Sequence, residues 1–349
     1  MSQPRIYLDH AATTPILPAA KVAVMEAMER WANPSSPHAE GRAARAALED
    51  ARARIKRALG WDGEVIFTSG ASEAIDIALR RWAAGDIAVT AVEHDAVHRA
   101  APGAVRLGVD RDGIIGPREL ERPPAIAAVQ VANNETGVLQ PWDRIATLRE
   151  QGVILLADAA QSAGKLSLPD ADMVAVSAHK LGGPPGVGAL LVRNYGPLSA
   201  VGGQEQGYRP GTHNLPGIIG FAAALEARED WMPRAADLRA RLESRLVAAG
   251  AEVVAADAPR IPTIGAYRMA GVPSEAQLIH FDLAGIAVSA GSACSSGSMK
   301  ASHVLAAMGW DEPAGREVIR ASFGPQTDEA EIEAFASAWE ALARRRSAA

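Results

Sequence analysis

The chain has 349 residues, of which 48% are hydrophobic and 22% charged, a balance that is ordinary for a globular protein of about two domains. Asp and Glu outnumber Lys and Arg by 41 to 35, so the composition offers no basic footprint for nucleic acid. No apolar run approaches the roughly 18 residues that span a bilayer, and the N-terminus lacks the apolar stretch of a signal peptide. We therefore expect a cytoplasmic protein without membrane partners.

The first half of the chain alternates helical and strand patterns. Apolar residues at helical spacing predict helices over 37–59 and 72–82. Nearly continuous apolar runs predict strands at 65–68, 87–92, 125–131, 153–157, 173–176 and 188–192. Strands that are apolar on both faces are typical of a parallel sheet covered by helices, which predicts an α/β domain.

The second half has a different pattern. An Ala/Leu/Arg/Glu stretch predicts one long helix over 221–246. Beyond it, a smaller α+β unit is predicted, with strands at 266–269, 287–289 and 318–322 and helices at 274–283, 303–308 and 328–345. The last helix is expected to begin with Asp328 as its N-cap and Glu331 three residues on.

Cys294 is the only cysteine, which excludes an intrachain disulfide and any cysteine-rich zinc or iron–sulfur site built by this chain alone. Its neighbours on both sides are Ser, Gly and Ala, a composition that predicts a loop rather than a packed strand. A buried, inert thiol is the alternative. His94 and His98 have the i, i+4 spacing of metal ligands, but no Cys or acidic cluster accompanies them, and we expect no metal.

A strand followed by a Gly/Pro-rich loop carries Ser177, His179 and Lys180. A lysine held at a strand end but open to a ligand can form a Schiff base with a carbonyl cofactor, although a plain surface lysine is the alternative. Residues 183–188 lack the G-x-G-x-x-G order of a dinucleotide loop.

Two further features fit the same cofactor. Asp158 ends a buried strand, where a carboxylate is costly unless it faces a cation such as the pyridinium nitrogen of pyridoxal phosphate. Residues 69–73 lie between a strand and a helix, where exposed N–H groups and the helix dipole would bind a phosphate. A simple helix cap is the alternative for this segment.

Motifs along nearly the whole chain resemble one family. They include N-N-E-T-G at 133–137, D-A-A-Q at 158–161, S-A-H-K at 177–180 and G-S-A-C-S-S at 291–296, with further matches at 7–15, 33–38, 67–73, 93–94, 202–205, 211–214 and 302–305. The sequence resembles the NifS/IscS-type cysteine desulfurases, class-V aminotransferases among the fold-type I pyridoxal-phosphate enzymes. This implies a large, mainly parallel α/β domain over 15–225 and a small α+β domain over 1–14 and 226–349.

The resemblance assigns a role to each matching residue around the cofactor. Lys180 would form the Schiff base and carry the proton at the substrate Cα, and Asp158 would pair with the ring nitrogen. Gln161 would bond the phenolic oxygen, and His94 would stack on the ring face and move protons. The phosphate would be held by Ala71, Ser72, Ser177 and His179, with Thr212 supplied by the other subunit of a homodimer.

The resemblance also implies the substrate and the reaction. Asn133 and Arg320 would bind the substrate carboxylate, Arg320 by its bidentate fork, although it could also be an ordinary strand arginine. The Cys294 thiolate would take the sulfur of L-cysteine as a persulfide, release L-alanine, and pass the sulfur to an acceptor protein for iron–sulfur cluster or thio-cofactor assembly. A selenocysteine lyase or small-substrate aminotransferase on the same scaffold is one alternative, and a non-catalytic partner-binding scaffold is another.

Five positions depart from the family pattern. His10 stands where Asn or Tyr is usual, Ser72 replaces Thr, Pro185 stands where Lys is common, Val201 replaces the first of three glycines, and Pro325 stands where an Arg usually follows Gly324. None of them removes a catalytic group.

Overall fold

The computed structural model describes residues 5–82, 85–116, 119, 124–196, 198–291 and 301–347. The described strands, in chain order, are β1 (Ile6–Tyr7), β2 (Glu64–Thr68), β3 (Ile87–Thr90), β4 (Val105–Leu107), β5 (Ile126–Gln130), β6 (Ile154–Asp158), β7 (Met173–Ser177), β8 (Gly188–Val192), β9 (Glu252–Val253), β10 (Ile264–Arg268), β11 (Ile286–Ala287) and β12 (Val318–Ser322). The described α-helices are α1 (Pro18–Met28), α2 (Ala39–Leu59), α3 (Ala71–Arg80), α4 (Asp95–Ala100), α5 (Trp142–Ile145), α6 (Leu215–Glu226), α7 (Met232–Ala248), α8 (Ser274–Leu283), α9 (His303–Ala307), α10 (Glu312–Gly315) and α11 (Glu329–Ser347).

A seven-stranded sheet in the described chain has the order β2-β8-β7-β6-β5-β3-β4. Strands β3 to β7 pair in parallel, while β8 runs antiparallel to both of its neighbours, β2 and β7. Every residue of β5, β7 and β8 is buried, as expected for strands with helices on both faces. The prediction of a mainly parallel α/β sheet is confirmed.

Helices cover the two faces of this sheet. Successive strand residues point to opposite sides, so Phe67 packs in one core with Leu48 of α2 and Phe221 of α6, while Ile66 packs in the other core with Ile75 of α3. Helix α2 matches its sequence prediction and ends at Gly60, whose φ of 66° is the left-handed conformation that glycine tolerates.

A second, three-stranded antiparallel sheet has the order β12-β10-β9 and packs against α7, α8 and α11. Tyr267, Phe281, Phe335 and Trp339 are fully buried between these elements. Asp328 caps α11, because the Glu331 amide donates to Asp328 Oδ1 at 2.9 Å and the Asp328 amide donates to Glu331 Oε2 at 3.2 Å. The division into domains at residues 225 and 226 stays a prediction.

The structure corrects two sequence predictions. The single helix expected over 221–246 is two helices, α6 and α7, because Pro233 lies in the first turn of α7 and has no amide hydrogen to continue an earlier helix. The strand expected over 287–289 is the short β11, and Ser289 instead forms an isolated bridge with Arg320. In the portion that the structure describes, no helix has both the length and the apolar character to span a membrane.

Candidate active site

A cavity of about 410 Å³ lies at the edge of the large sheet where the parallel strands end. Gln130, Asp158 and Ser177 are the last residues of β5, β6 and β7, so their side chains meet at one edge. The cavity wall brings together most of the residues that the sequence singled out: Ala71, Ser72, His94, Asp158, Gln161, Ser177, His179, Lys180 and Arg320.

Lys180 lies in a short 3₁₀ turn directly after β7 and is held by the N-terminal segment of the chain. Its Nζ donates to the backbone carbonyls of Ala11 at 2.5 Å and Ala12 at 2.9 Å. The Thr14 amide donates to the His179 carbonyl at 2.8 Å, and the Thr14 hydroxyl donates to the Lys180 carbonyl at 3.2 Å. Residues 11–14 therefore fix both the backbone and the amine of Lys180.

Asp158 is buried beside Lys180, with 8% of its surface exposed. Burial raises its pKa, while the hydrogen bond from the Ala160 amide to Oδ1 (2.9 Å) and the charges of His94 and Lys180 act in the opposite direction. Gln161, on the turn after Asp158, donates from Nε2 to the Ala11 carbonyl at 2.9 Å. Its buried Oε1 has no hydrogen-bond partner among the described residues.

The N-terminus of α3 faces the same cavity. Ala71 and Ser72 open this ten-residue helix, and no side chain caps it, so its first amides remain available to an anion. The preceding turn passes close to β8, because a Cβ on Gly188 would lie 2.6 Å from the Gly70 Cα. A buried carboxylate, an amide oxygen without a partner and an uncapped helix start fit the ring nitrogen, ring substituent and phosphate of pyridoxal phosphate.

Arg320 enters the cavity from β12 and has two partners. Its Nη2 donates to Asp9 Oδ1 at 2.7 Å and its Nη1 donates to the Asn134 carbonyl at 2.9 Å. The buried Nε has no hydrogen-bond partner within the described part of the chain. Asp9 and Asn134 also line the cavity, and both lie in the quoted motifs, although no role was expected for either of them.

One residue that was expected to bind the substrate lies outside the cavity wall. Asn133 is buried and does not line the cavity: its Oδ1 accepts from the amides of Glu135 and Thr136 at 2.8 and 2.9 Å, and its Nδ2 donates to the Val92 carbonyl at 3.1 Å. These bonds fix the turn after β5, and the role of Asn133 in substrate binding stays a prediction. The next residue, Asn134, lines the cavity in its place.

Thr212 is exposed and lies outside the wall of this cavity. Its segment is anchored by Glu205, which is buried and accepts two hydrogen bonds from Arg52 (2.9 and 3.0 Å), one from His213 (2.5 Å) and one from the Phe67 amide (3.0 Å). These donors hold the pKa of Glu205 at about 2 in spite of its burial. Thr212 thus lies on an anchored segment and is not part of the cavity wall of its own chain.

His94 caps α4 by accepting from the Ala96 amide at 3.2 Å and also lines the cavity. His98 packs edge-on against His303, with ring centroids 5.3 Å apart, and does not join His94 in a ligand set. No group of three His, Cys, Asp or Glu suited to a metal occurs among the residues that the structure covers. Cys294 lies outside the described residues.

This sheet edge, with a lysine, a buried carboxylate and an open helix start, defines an α/β enzyme of the fold-type I pyridoxal-phosphate class. Residues 6–335 match the family Aminotransferase class-V, and the chain belongs to this family, whose cofactor is pyridoxal 5'-phosphate.

Named relatives and solved structures that are similar to this chain support the same family assignment. The chain is 38% identical to a cysteine desulfurase of Enterobacter agglomerans, over 94% of this chain and 90% of that protein. A NifS-like protein from Rickettsia africae ESF-5 has a TM-score of 0.89 and 30% identity over 97% of this chain and 99% of that one. SspA, solved in complex with cysteine, has a TM-score of 0.80 and 28% identity over 93% of this chain and 100% of that one.

Proposed function

We propose that the protein is a cysteine desulfurase that converts L-cysteine to L-alanine and holds the sulfur as a persulfide on Cys294. The observation that carries the proposal is the single cavity that joins Lys180, Asp158 and Arg320. The name of the Enterobacter agglomerans relative and the cysteine bound to the structurally similar SspA support this substrate.

Each cavity residue has a defined task in this proposal. Lys180 anchors the cofactor and moves the proton at the substrate Cα. The Asp158 carboxylate would pair with the ring nitrogen and keep it protonated, and Gln161 would bond the phenolic oxygen of the ring. His94 would stack on the ring face and could move protons. Bound pyridoxal phosphate would withdraw electrons from the substrate and make its carbon a stabilised leaving group.

Arg320 would orient the substrate in the cavity. Asp9 and the Asn134 carbonyl fix two of its nitrogens, so the guanidinium keeps one orientation in the cavity. A guanidinium held in this way binds a carboxylate with a defined geometry, which an unfixed lysine would not do. The amino acid is thus presented to Lys180 in one pose.

Sulfur transfer falls to Cys294, the only thiol of the chain. Its thiolate attacks the sulfur of the bound cysteine, a new S–S bond forms and the substrate C–S bond breaks. The electron pair of the broken bond stays with the substrate carbon, which takes a proton and leaves as alanine. The persulfide is then passed to an acceptor protein, which would use the sulfur for iron–sulfur cluster or thio-cofactor assembly.

The proposal includes a homodimer in the cytoplasm. Thr212 does not line the cavity of its own chain and would complete the phosphate site of the other subunit. The surface around α1 supports association, because it exposes large apolar side chains that water contacts unfavourably in a monomer: Val22 (53%), Met25 (60%), Met28 (65%) and Trp31 (82%).

The direct test is to incubate the purified, pyridoxal-phosphate-loaded protein with L-cysteine and to measure alanine together with sulfur on the peptide that carries Cys294. We expect equal amounts of alanine and protein-bound sulfur in the first turnover. Alanine formed only when a keto acid is present would favour an aminotransferase, and turnover restricted to selenocysteine would favour a lyase. Absence of any turnover would favour the non-catalytic scaffold.

A further inference from the structure

A second lysine, Lys165, borders a pocket that Lys180, the proposed cofactor lysine, also lines. A smaller cavity, of about 170 Å³, is lined by Lys165 and Lys180 together with Thr14, Leu17, Leu225 and Trp231. Lys180 borders this cavity as well as the larger one that contains Asp158 and Arg320. The two lysines therefore border one pocket that is distinct from the substrate cavity.

The turn after β6 places Lys165 there. The Ala163 amide donates to the Ala159 carbonyl at 2.8 Å and the Lys165 amide donates to the Ser162 carbonyl at 2.9 Å, which closes the turn. Gly164 has a φ of 77°, and a Cβ at this position would lie 3.3 Å from the side chain of Leu181. The turn thus packs directly against the residue that follows Lys180.

Lys165 has no carboxylate partner. Among the described residues its side chain forms neither an ion pair nor a hydrogen bond, and the charged or titratable groups that face it are Lys180, His10, Arg228 and Glu229. Arg228 donates to the Ala58 carbonyl at 2.6 Å, and Glu229 lies on the exposed rim. Lys165 is thus not ion-paired with a carboxylate of the described residues, whereas Asp158 lies beside Lys180 in the larger cavity.

Burial and nearby positive charge lower the pKa values of Lys165 and His10. Burial and the positive charge of Lys180 lower the pKa of Lys165 to about 7. Burial and the charge of Lys165 lower the pKa of His10 to about 4, so the imidazole, which is 7% exposed, stays neutral and does not add a third charge. Because the interaction between two amines is reciprocal, a proton on Lys165 makes a proton on Lys180 less favourable as well.

We propose that Lys165 is a positioning residue that acts on Lys180 by charge: its amine, which is not ion-paired with any carboxylate of the described residues, disfavours a proton on the nitrogen of Lys180. A lysine next to another cation is thereby kept in the basic form that can accept a proton. The inference rests on the proposed role of Lys180 as the cofactor anchor. Lys165 would thus help Lys180 take the proton from the substrate near neutral pH.

The test uses the pyridoxal-phosphate-loaded protein without substrate. The absorbance of the bound cofactor is titrated between about pH 6 and about pH 10, a range in which the nitrogen shared with Lys180 gains or loses its proton. In Lys165→Met the midpoint is expected to rise, by up to about 1 pH unit, because the variant lacks the charge that Lys165 carries below its pKa of about 7. In Lys165→Arg, which is charged at every pH of the titration, the midpoint is expected to lie at or below that of the wild type.

Two further variants complete the test. Lys56→Met removes a partly exposed lysine in the last turn of α2 and should leave the midpoint unchanged. Lys165→Gln replaces Lys165→Met if the methionine variant does not fold. An unchanged or lower midpoint in the fully loaded Met or Gln variant would overturn the inference. The titration requires only that the cofactor is attached to Lys180, so its result stays separate from a failure of cysteine turnover.

Discussion

Asp9 and Arg320 form an ion pair of 2.7 Å across 311 positions of the chain. The Arg320 side chain is 5% exposed and that of Asp9 is 20% exposed, so the pair is shielded from solvent at the wall of the substrate cavity. Arg320 therefore acts as a preoriented guanidinium rather than as a flexible surface cation, and Asp9 is the residue that orients it.

Asp9→Asn tests this orientation. The amide removes the negative charge and weakens the hold on Arg320, so the KM for L-cysteine should rise by about tenfold or more, while kcat should fall less. Steady-state alanine formation measures both. Asp282→Asn is the matched control, because it removes the partner of Arg5 in an exposed ion pair, which contributes little. Equal KM values for Asp9→Asn and wild type would contradict the assignment.

Lys180→Ala tests the covalent anchor. Borohydride reduction of the loaded wild type should fix the cofactor to the peptide that contains Lys180, because a Schiff base becomes a stable amine. The Ala variant should retain the phosphate-binding residues and carry no label, as measured by mass spectrometry of the digested chain. Label on the Lys165 peptide of the wild type would show that the wrong lysine has been assigned.

Cys294→Ser separates sulfur transfer from the other reactions of the family. A serine hydroxyl stays protonated near neutral pH and is a far poorer nucleophile towards sulfur than a thiolate. L-cysteine should still bind and shift the cofactor spectrum, but alanine formation should fall at least about 100-fold, and no sulfur should be added to the protein. Near-wild-type alanine formation would refute the mechanism even if the fold is right.

Glu205→Gln tests the anchor of the Thr212 segment. Breaking the buried bonds to Arg52 and His213 should lower the free energy of unfolding by about 3 kcal/mol. The lowered pKa of Glu205, about 2, means that this stabilisation is complete above the usual carboxylate pKa of about 4.5 and is lost as the pH falls towards 2. The difference between variant and wild type should therefore shrink over that range.

The control for Glu205 is Glu226→Gln. Glu226 is paired with Arg54 but is 42% exposed, so its loss should change stability by less than about 1 kcal/mol. Unfolding followed by circular dichroism at several pH values gives both quantities. A Glu205 variant as stable as the Glu226 variant would show that the anchor does not stabilise the fold.

Glu93→Gln should stabilise the protein at alkaline pH. Burial raises the pKa of Glu93 to about 8, while the bonds that its Oε1 accepts from Thr90 Oγ1 (2.6 Å) and the Gln130 amide (2.9 Å) oppose that shift. The folded state keeps a proton that the unfolded state releases above its usual pKa of about 4.5, so stability falls as the pH rises from 4.5 to 8. The neutral amide avoids this loss.

The expected gain for Glu93→Gln is on the order of 2 kcal/mol above pH 8 and near zero at about pH 5. Thermal unfolding at a series of pH values measures it, with Asp95→Asn, an exposed carboxylate close in sequence, as control. A gain that does not vary with pH would mean that the effect is one of packing and that Glu93 is ionised throughout.

The elements whose hydrophobic patterns are set by local sequence could be predicted from the sequence. The buried strands of the large sheet are recognisable because both faces are apolar, and Asp158 and Lys180 could be placed together because the ends of parallel strands meet at one edge. The break between α6 and α7 was missed because alanine-rich sequence on both sides has the same periodicity, and only the first-turn proline marks the new start.

The site residues that were missed depend on tertiary geometry. Asn133 and Asn134 are chemically identical neighbours, and which of them faces the cavity is decided by the turn that Asn133 closes with Glu135 and Thr136. The link between Asp9 and Arg320 joins opposite ends of the chain, and no local pattern predicts such a pair. Lys165 lacked a signal of its own because its effect depends on a pocket shared with Lys180.

The bonds made by the N-terminal segment have a consequence for biosynthesis. Leu8 and Ala11 bond Ser322 of β12, while Ala11 and Ala12 accept from Lys180, so this segment is completed by a strand that is made long after it. On the ribosome the large sheet can form early, as N-terminal units generally do, but the segment that fixes Lys180 must wait for β12 to emerge. A nascent chain stalled before residue 318 should therefore acquire the sheet without retaining the cofactor.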